Sequence, residues 1–244
     1  MKLTNIIMIL VLLICTCSCV KKITKMQLVT EDYPPLTYEA NGNITGYGAE
    51  IVKAIQAELK STDKIKMTDW NTAYETALNE PNVVIFTMEK TPERDTSFYW
   101  VGPIGKNKTY FYAKADSKLK INSLVEAKAA KYIATTTDWF SEQYLKKNGF
   151  TNLKSNNKPT IAVKLVMSGD AELAAFTDLT VNKIVEQAGY KQGDLIPVYQ
   201  FLDTDFYIGI SKQTSPDVVK AWQKAFDKVK KAGILDKLQA EYLK

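Results

Sequence analysis

Histidine is absent from all 244 residues of the chain. Without an imidazole the protein can build no Ser-His-Asp or Cys-His catalytic group and no histidine-ligated zinc site. The three cysteines, Cys15, Cys17 and Cys19, all lie in the first nineteen residues, so the remaining chain has no disulfide and no thiol chemistry. We therefore expect the protein to use no cofactor and no metal.

Arginine is almost absent. Arg94 is the single arginine among 32 basic residues, which face 27 acidic ones for a formal net charge of +5. Surfaces that bind nucleic acids favour arginine for bidentate phosphate and guanine contacts, and the lysines here are scattered among acids. The charge pattern therefore argues against a nucleic-acid partner.

The longest apolar run, residues 6–14, is too short for a membrane-spanning helix, which needs about 20 apolar residues. Lys2 is the only charge before it, and small residues and the cysteines follow. This order of features is typical of a secretory signal. We predict that residues 1–19 are a signal peptide and that the protein is exported to the cell envelope.

The small residues before Cys19 resemble the lipobox of prokaryotic lipoproteins, although Thr16 stands where that pattern has leucine. We predict a lipid anchor on Cys19, or alternatively on Cys17, which would hold the protein at the outer face of the cytoplasmic membrane. Plain secretion, with a periplasmic protein and incidental cysteines, is the open alternative.

The rest of the sequence alternates apolar strands with amphipathic helices, the pattern of an α/β fold with parallel sheets. Strands are predicted at residues 26–30, 65–67, 82–87, 109–113, 132–135, 173–176, 196–201 and 206–210. Helices are predicted at residues 48–59, 70–78, 139–147, 160–167 and 179–188 and from Pro216 to a stop at Gly233.

Two strands, 109–113 and 206–210, each lead from one α/β unit toward another. If both are crossings, lobe 1 comprises residues 20–112 and 208–244, and residues 113–207 form an inserted lobe 2. A ligand would then bind in the cleft between the lobes, as is common at domain interfaces.

Four stretches of the chain together resemble the family 3 extracellular solute-binding proteins, which are receptors of polar amino-acid ABC importers. The first is EDYPPLTY at residues 31–38 with GYGAEI at 46–51, and the second is TMEKTPER at 87–94 with FYWVGP at 98–103. The third is SGDAELAAFTD at 168–178, and the last runs from 206–212 to 233–235. The resemblance implies a two-lobed periplasmic-binding-protein type 2 fold with two hinge-crossing strands and an interlobe cleft.

The resemblance assigns Arg94 as the clamp of the ligand's carboxylate. Chemistry supports this, because arginine is the planar, always charged donor that a carboxylate in a cleft requires. Asp178 would pair the ligand's α-ammonium, unless it only caps the helix predicted at 179–188. The alternative for Arg94 is a surface arginine in a loop.

Further ligand contacts follow from the same resemblance. Tyr33 and Trp70 would form aromatic walls of the cleft, where a ring can sit over an ammonium, or else they pack in the core. Thr87 would meet the ligand's ammonium. Thr136 would offer lobe 2 donors to the carboxylate.

Glu89 departs from the family pattern, which has serine or threonine five residues before the arginine. An acid beside Arg94 would compete for the guanidinium and repel an anionic ligand. Either Glu89 points away as a surface residue, or it lines the site and the ligand is cationic or is not a standard α-amino acid.

The resemblance implies a monomeric receptor that captures a small polar solute by hinge closure, hands it to a membrane permease and does no chemistry on it. A dehydratase-like enzyme of the same fold is one alternative, with Glu89 or Glu31 as acid and base. A ligand-sensing module is another. Sensors of this fold are usually joined to a membrane helix and a kinase, and neither precedes Lys244, so we expect a receptor.

Overall fold

The computed structural model describes residues 24–243. The predicted signal peptide and the cysteines predicted to carry a lipid lie outside the described residues, so both stay predictions. Within residues 24–243 no helix is long and apolar enough to cross a membrane.

Ten strands and nine helices alternate along the described chain. In chain order the strands are β1 (Gln27–Thr30), β2 (Tyr38–Ala40), β3 (Asn43–Thr45), β4 (Ile65–Met67), β5 (Val83–Glu89), β6 (Phe98–Lys114), β7 (Ile133–Thr136), β8 (Leu153–Asn156), β9 (Leu173–Thr177) and β10 (Leu195–Ser211). The helices are α1 (Tyr47–Leu59), α2 (Trp70–Asn79), α3 (Pro92–Asp95), α4 (Leu124–Ala127), α5 (Phe140–Lys147), α6 (Pro159–Ser168), α7 (Val181–Gln187), α8 (Pro216–Lys231) and α9 (Ile234–Tyr242).

Eight strands form one sheet in the order β4-β1-β5-β10-β6-β9-β7-β8. The outer pairs are parallel, whereas β5, β10, β6 and β9 pair antiparallel with one another. Every residue of β5 and of β9 is buried, as expected for strands covered by helices on both faces. The predicted α/β class is confirmed, and the outer strands pair in parallel as predicted, whereas the four middle strands pair antiparallel.

The two strands at the centre are much longer than the sequence pattern predicts. β6 and β10 have 17 residues each, so the predicted strand 109–113 is only the end of β6, and the strands predicted at 196–201 and 206–210 are one strand. Asp203 and Asp205 interrupt the apolar pattern, yet they pair across the ladder with Lys108 and Lys106. Opposite charges on facing residues favour strand pairing, and in this stretch, residues 106–108 with 203–205, there is no apolar side chain to do so.

β6 and β10 connect two α/β halves. Residues 206–210 of β10 pair with β5 in the first half, and residues 109–112 of β6 pair with β9 in the second. Between these ends, residues 106–108 and 203–205 pair only with each other among the described strands. The molecule therefore has two halves joined side by side through one antiparallel pair.

The remaining differences from the predictions are local. The turn predicted at residues 41–43 connects the β2-β3 hairpin, where Asn41 and Gly42 have φ of 53° and 73°, the geometry of a two-residue hairpin turn. The short elements β2, β3, β8, α3 and α4 and the last helix, α9, are missing from the predictions. α8 begins as predicted, with Ser215 at the N-cap and Pro216 first.

Candidate ligand-binding site

A small cavity lies between the two halves. It is lined by Glu31, Tyr33, Trp70, Thr87, Glu89 and Arg94 from the first half and by Trp139 and Phe140 from the second. Its volume of about 10 Å³ is room for one water molecule. It shares Glu31, Trp70 and Trp139 with a larger cleft of about 550 Å³, which is the size of a small-molecule site.

The charged residues are positioned by the carboxyl ends of parallel strands. Glu31 directly follows β1, Glu89 ends β5, and Arg94 lies in α3, which follows β5 after a short turn. β1 and β5 are parallel neighbours, so their carboxyl ends meet at one edge of the sheet. This edge is where ligands bind in open α/β sheets.

Arg94 is 1% exposed, so it is not a surface arginine. Its guanidinium lies 4.9 Å from the ring centroid of Trp70, and Nη2 donates a hydrogen bond of 3.2 Å to the carbonyl oxygen of Asp138. Nε and Nη1 are buried and have no hydrogen-bond partner within residues 24–243, and burial lowers the pKa of the guanidinium. Two donors of the guanidinium, on different edges of the group, therefore have no acceptor among the described residues and are available to an anionic group.

Glu89 is 4% exposed and lines the cavity, which rules out the alternative that it points away into solvent. Its Oε1 accepts a hydrogen bond of 3.0 Å from Asn107 Nδ2, and Oε2 lies 3.9 Å from Arg94 Nη1. Burial raises the pKa of Glu89 to about 8, although the charge of Arg94 opposes the shift. The carboxyl group of Glu89 is therefore part of the cavity lining.

Glu31 lines the cavity beside Glu89, although from the sequence it was expected only as an acid or base of the enzyme alternative. The residue as a whole keeps partial solvent exposure, but its carboxyl group is surrounded by protein. Burial and then the charge of Glu89 raise the pKa of Glu31 to about 8, while Arg94 opposes the shift. The cavity therefore contains two carboxyl groups and one guanidinium.

Tyr33 and Trp70 lie where walls of the cleft were predicted, and both are buried. The Tyr33 ring packs edge-on to Trp139 at a centroid distance of 5.0 Å, and its hydroxyl shares a 3.2 Å hydrogen bond with Thr177 Oγ1. Trp70 Nε1 donates to the carbonyl oxygen of Asp138 at 3.2 Å. Both aromatic side chains therefore also bridge the two halves.

The two predicted threonines differ in their surroundings. Thr87 lines the cavity with a φ of 60°, which is rare for a β-branched residue and is a form of strain found at functional sites; its hydroxyl donates to Phe86 O at 2.6 Å. Thr136 lines the larger cleft, and its buried Oγ1 has no partner among the described residues. The Thr136 hydroxyl is thus the freer of the two to meet a ligand.

Asp178 lies apart from these residues. It is exposed, its carboxylate accepts a hydrogen bond of 3.3 Å from the Lys108 backbone N–H, and it lines neither cavity. The helix that follows begins at Val181 with Thr180 at its N-cap, so Asp178 is not the helix cap that the alternative interpretation required.

Sequence reasoning missed the turn that follows β7. The Asp138 carbonyl oxygen accepts from both Trp70 and Arg94, and the residue has a φ of 59°. Its N–H donates to Oε2 of the buried Glu142 at 2.9 Å. The signal available in the sequence was the aromatic Trp139 just after a predicted strand end, at the same sheet edge where Thr136 was predicted to act.

Two α/β halves, joined by one antiparallel strand pair around a cleft with a buried arginine, define a two-lobed ligand-binding protein. The chain matches the model of the bacterial extracellular solute-binding proteins, family 3, over residues 27–244 and belongs to this family. It is 25% identical over 228 residues to the L-cystine-binding protein TcyJ of Bacillus subtilis (strain 168), covering 87% of this chain and 81% of that protein.

Two solved structures have the same fold. A histidine kinase sensor domain similar to periplasmic binding proteins has a TM-score of 0.80 at 18% identity, covering 89% of this chain and 96% of its own. An ancestral arginine-binding protein bound to arginine has a TM-score of 0.78 at 19% identity, and the match covers 91% of this chain and 100% of that protein's chain. The predicted periplasmic-binding-protein type 2 fold is confirmed.

Proposed function

We propose that the protein is the substrate-binding receptor of an ABC importer and that it captures an amino acid, or a related solute with amine and carboxylate groups. The observation that carries this proposal is the pair of unpartnered donors on the buried Arg94 guanidinium. Burying such donors without a partner costs free energy, and a ligand carboxylate would supply the missing acceptor.

Capture by hinge closure is part of the proposal. We place the hinge at residues 106–108 and 203–205, where the crossing strands pair only with each other in the described sheet. This is slightly earlier in β6 and β10 than the predicted lobe limits at 112 and 207. A ligand that contacts both lobes would stabilise the closed form by its differential contacts.

We propose that the contacts between the halves belong to the closed form. Trp70 and Arg94 both donate to Asp138 O, Tyr33 bonds Thr177, and Lys147 forms an ion pair with Glu93. Together with the small volume of the cavity, these contacts support the proposal that the halves must open before a ligand enters.

The named relatives support the class of solute, since one binds L-cystine and another is bound to arginine. We propose that the protein acts as a monomer beside a membrane permease, held at the membrane surface by a lipid on Cys19 or Cys17. In this arrangement the closed receptor delivers its solute without changing it.

Binding is tested by thermal shift and titration calorimetry of the purified protein against the amino acids, L-cystine and small amines. A ligand at about 100 times its dissociation constant adds roughly 2.7 kcal/mol to the free energy of unfolding, which is easily measured. Arg94→Ala should abolish the shift, whereas Lys90→Ala, in an exposed ion pair with Asp95, should leave it intact. If no solute shifts the melting temperature, the proposal is wrong.

A dehydratase-like enzyme is a second candidate, because buried carboxyl groups with a pKa near the working pH are suited to acid-base chemistry. The raised pKa values of Glu31 and Glu89, both about 8, favour it. Overnight incubation of each bound solute, followed by NMR of the released compound, separates the two functions. A receptor returns the solute unchanged, and an enzyme converts it.

A further inference from the structure

We propose that Glu31 and Glu89, and not Asp178, hold a cationic nitrogen of the ligand, so that the site selects solutes with a net positive charge. This inference rests on the proposed function and specifies its class of solute. The three charged groups that line the small cavity are its starting point.

The charges of the cavity do not balance. Glu31, Glu89 and Arg94 are the charged residues of its lining, so full ionisation leaves one negative charge without a partner. The larger cleft adds Asp32, Asp69 and Lys158 and increases the negative excess. Because a buried charge without a partner is strongly disfavoured, the site requires either retained protons or a cation from the ligand.

The geometry leaves the carboxylates free to contact such a cation. Glu89 Oε1 is held by Asn107, and its Oε2 lies 3.9 Å from Arg94 Nη1, beyond the length of a hydrogen bond. The guanidinium instead donates a hydrogen bond from Nη2 to the carbonyl oxygen of Asp138. Arg94 and Glu89 therefore do not hydrogen-bond to each other. A solute with a carboxylate and a cationic nitrogen would give each of them a partner.

Asp178, which was expected to pair with the α-ammonium of the ligand, does not lie at the cavity. Its carboxylate is bound to the backbone of Lys108 on an exposed surface, and it lines neither of the two cavities between the halves. The acidic partner of the ligand is thus supplied from the first half, at the position where the family usually carries serine or threonine.

This arrangement couples binding to protonation. The groups that face the two carboxyl groups are Arg94 of α3, Asp32 and Tyr33 after β1, Asn107 of β6, and the uncharged Trp139 and Phe140 of the second half. Burial raises the pKa of both glutamates to about 8, so both are protonated in mildly acidic solution. A cation must displace a proton, and its affinity should therefore rise with pH.

The test is titration calorimetry of the purified protein at about pH 6 and about pH 8.5, on either side of the raised pKa values. The probes are L-arginine, L-lysine, agmatine and L-cystine, with L-citrulline as the isosteric uncharged control for arginine. We expect a cationic probe to bind about tenfold or more tightly at the higher pH and to release protons, as shown by heats that depend on the buffer. L-citrulline should bind more weakly than arginine.

Matched variants test which acidic side chain holds the cationic nitrogen of the ligand. Glu89→Gln keeps the acceptor for Asn107 and should weaken the cationic probe by about tenfold or more and flatten the pH dependence. Asp178→Asn should change the affinity less than about twofold. Circular dichroism checks that each variant folds, and Glu31→Gln provides a second measurement of the same effect.

Three results would overturn the inference while leaving the proposed function intact. These are binding confined to solutes without net positive charge, an unchanged affinity in both glutamate variants, and loss of binding in Asp178→Asn. If none of the probes and none of the twenty amino acids binds, the proposed function itself fails.

Discussion

The two walls of the cleft differ in chemical character. The first half provides all of the charge that lines the small cavity, in Glu31, Glu89 and Arg94. The second half provides mainly neutral groups, namely the Thr136 hydroxyl, the Asp138 carbonyl and the rings of Trp139 and Phe140, and its one charged group in the larger cleft is Lys158. The difference indicates that one wall determines which solute binds and the other determines how the cleft closes over it.

The charged wall should be the more sensitive to substitution. Arg94→Lys keeps the positive charge but loses the planar fork that gives two parallel donors. We expect solute affinity to fall about 100-fold, which corresponds to roughly 2.7 kcal/mol, measured by titration calorimetry against the best solute of the screen. An affinity within about threefold of the original protein would mean that Arg94 does not contact the solute.

The neutral wall depends on a buried carboxylate behind it. Glu142 accepts hydrogen bonds from Thr135 Oγ1 and from Asp138 N–H, both at 2.9 Å, and from Lys146 and Ser155. Burial alone would raise the pKa of Glu142, but these hydrogen bonds hold it below its usual value. The buried negative charge of Glu142 is therefore stabilised by its hydrogen bonds. Through the Asp138 N–H it holds the turn whose carbonyl oxygen contacts Arg94 and Trp70.

Glu142→Gln should lower the free energy of unfolding by about 2 kcal/mol, because hydrogen bonds to a charged group are lost or weakened. Denaturant unfolding measures this change. Solute affinity should fall less than in Arg94→Lys, because the substitution moves the closing turn and leaves the charged wall in place. Glu126→Gln, at an exposed helix start, is the control. A larger loss of affinity than Arg94→Lys causes would contradict the division between the walls.

Stability of the empty protein should depend on pH through the charged wall. Burial raises the pKa of Glu31 and of Glu89 from 4.5 to about 8, so the folded protein holds these protons more tightly than the unfolded chain. This contribution to stability is fully present below the pKa that the glutamates have in the unfolded chain. It is lost as the pH rises through the pKa that they have in the folded protein. We expect the melting temperature to fall by about 2–4 °C or more between mildly acidic and alkaline pH.

The double variant Glu31→Gln, Glu89→Gln should reduce this fall, because neither amide ionises. A pH dependence that stays the same in the double variant would place its origin elsewhere in the molecule.

The smallest effect is expected at a contact that joins the two walls. Tyr33→Phe removes the hydroxyl that bonds Thr177 at 3.2 Å and keeps the ring that packs on Trp139. Thr177 retains Thr180 as a partner at 2.8 Å, so no buried group is left unsatisfied. We expect solute affinity to change by about 1 kcal/mol or less. A change as large as that of Arg94→Lys would show that Tyr33 contributes to recognition.

The sequence predicted the charged wall better than the neutral one. Arg94 and Glu89 stand five residues apart in one motif, so the sequence alone places them together at the end of β5. Asp138 acts through its backbone carbonyl, which carries no residue-specific signal. Asp178 fell within a recognisable stretch, but its position relative to the cleft depends on how β9 and α7 pack.

The same limit applies to the fold. Apolar alternation located most helices and the buried strands β5 and β9, because burial determines their composition. The middle of β10 is polar, and its strand conformation comes from pairing with β6, which is distant in sequence. A pattern read along one segment does not contain this information.

The most direct measurement is a crystal structure of the protein with its best solute bound at about pH 8.5, above the raised pKa values. The account predicts a carboxylate of the solute hydrogen-bonded to Nε or Nη1 of Arg94, a cationic nitrogen at Glu89 or Glu31, and no acidic partner from the second half. A solute whose nitrogen is bound by Asp178, or whose carboxylate lies away from Arg94, would contradict it.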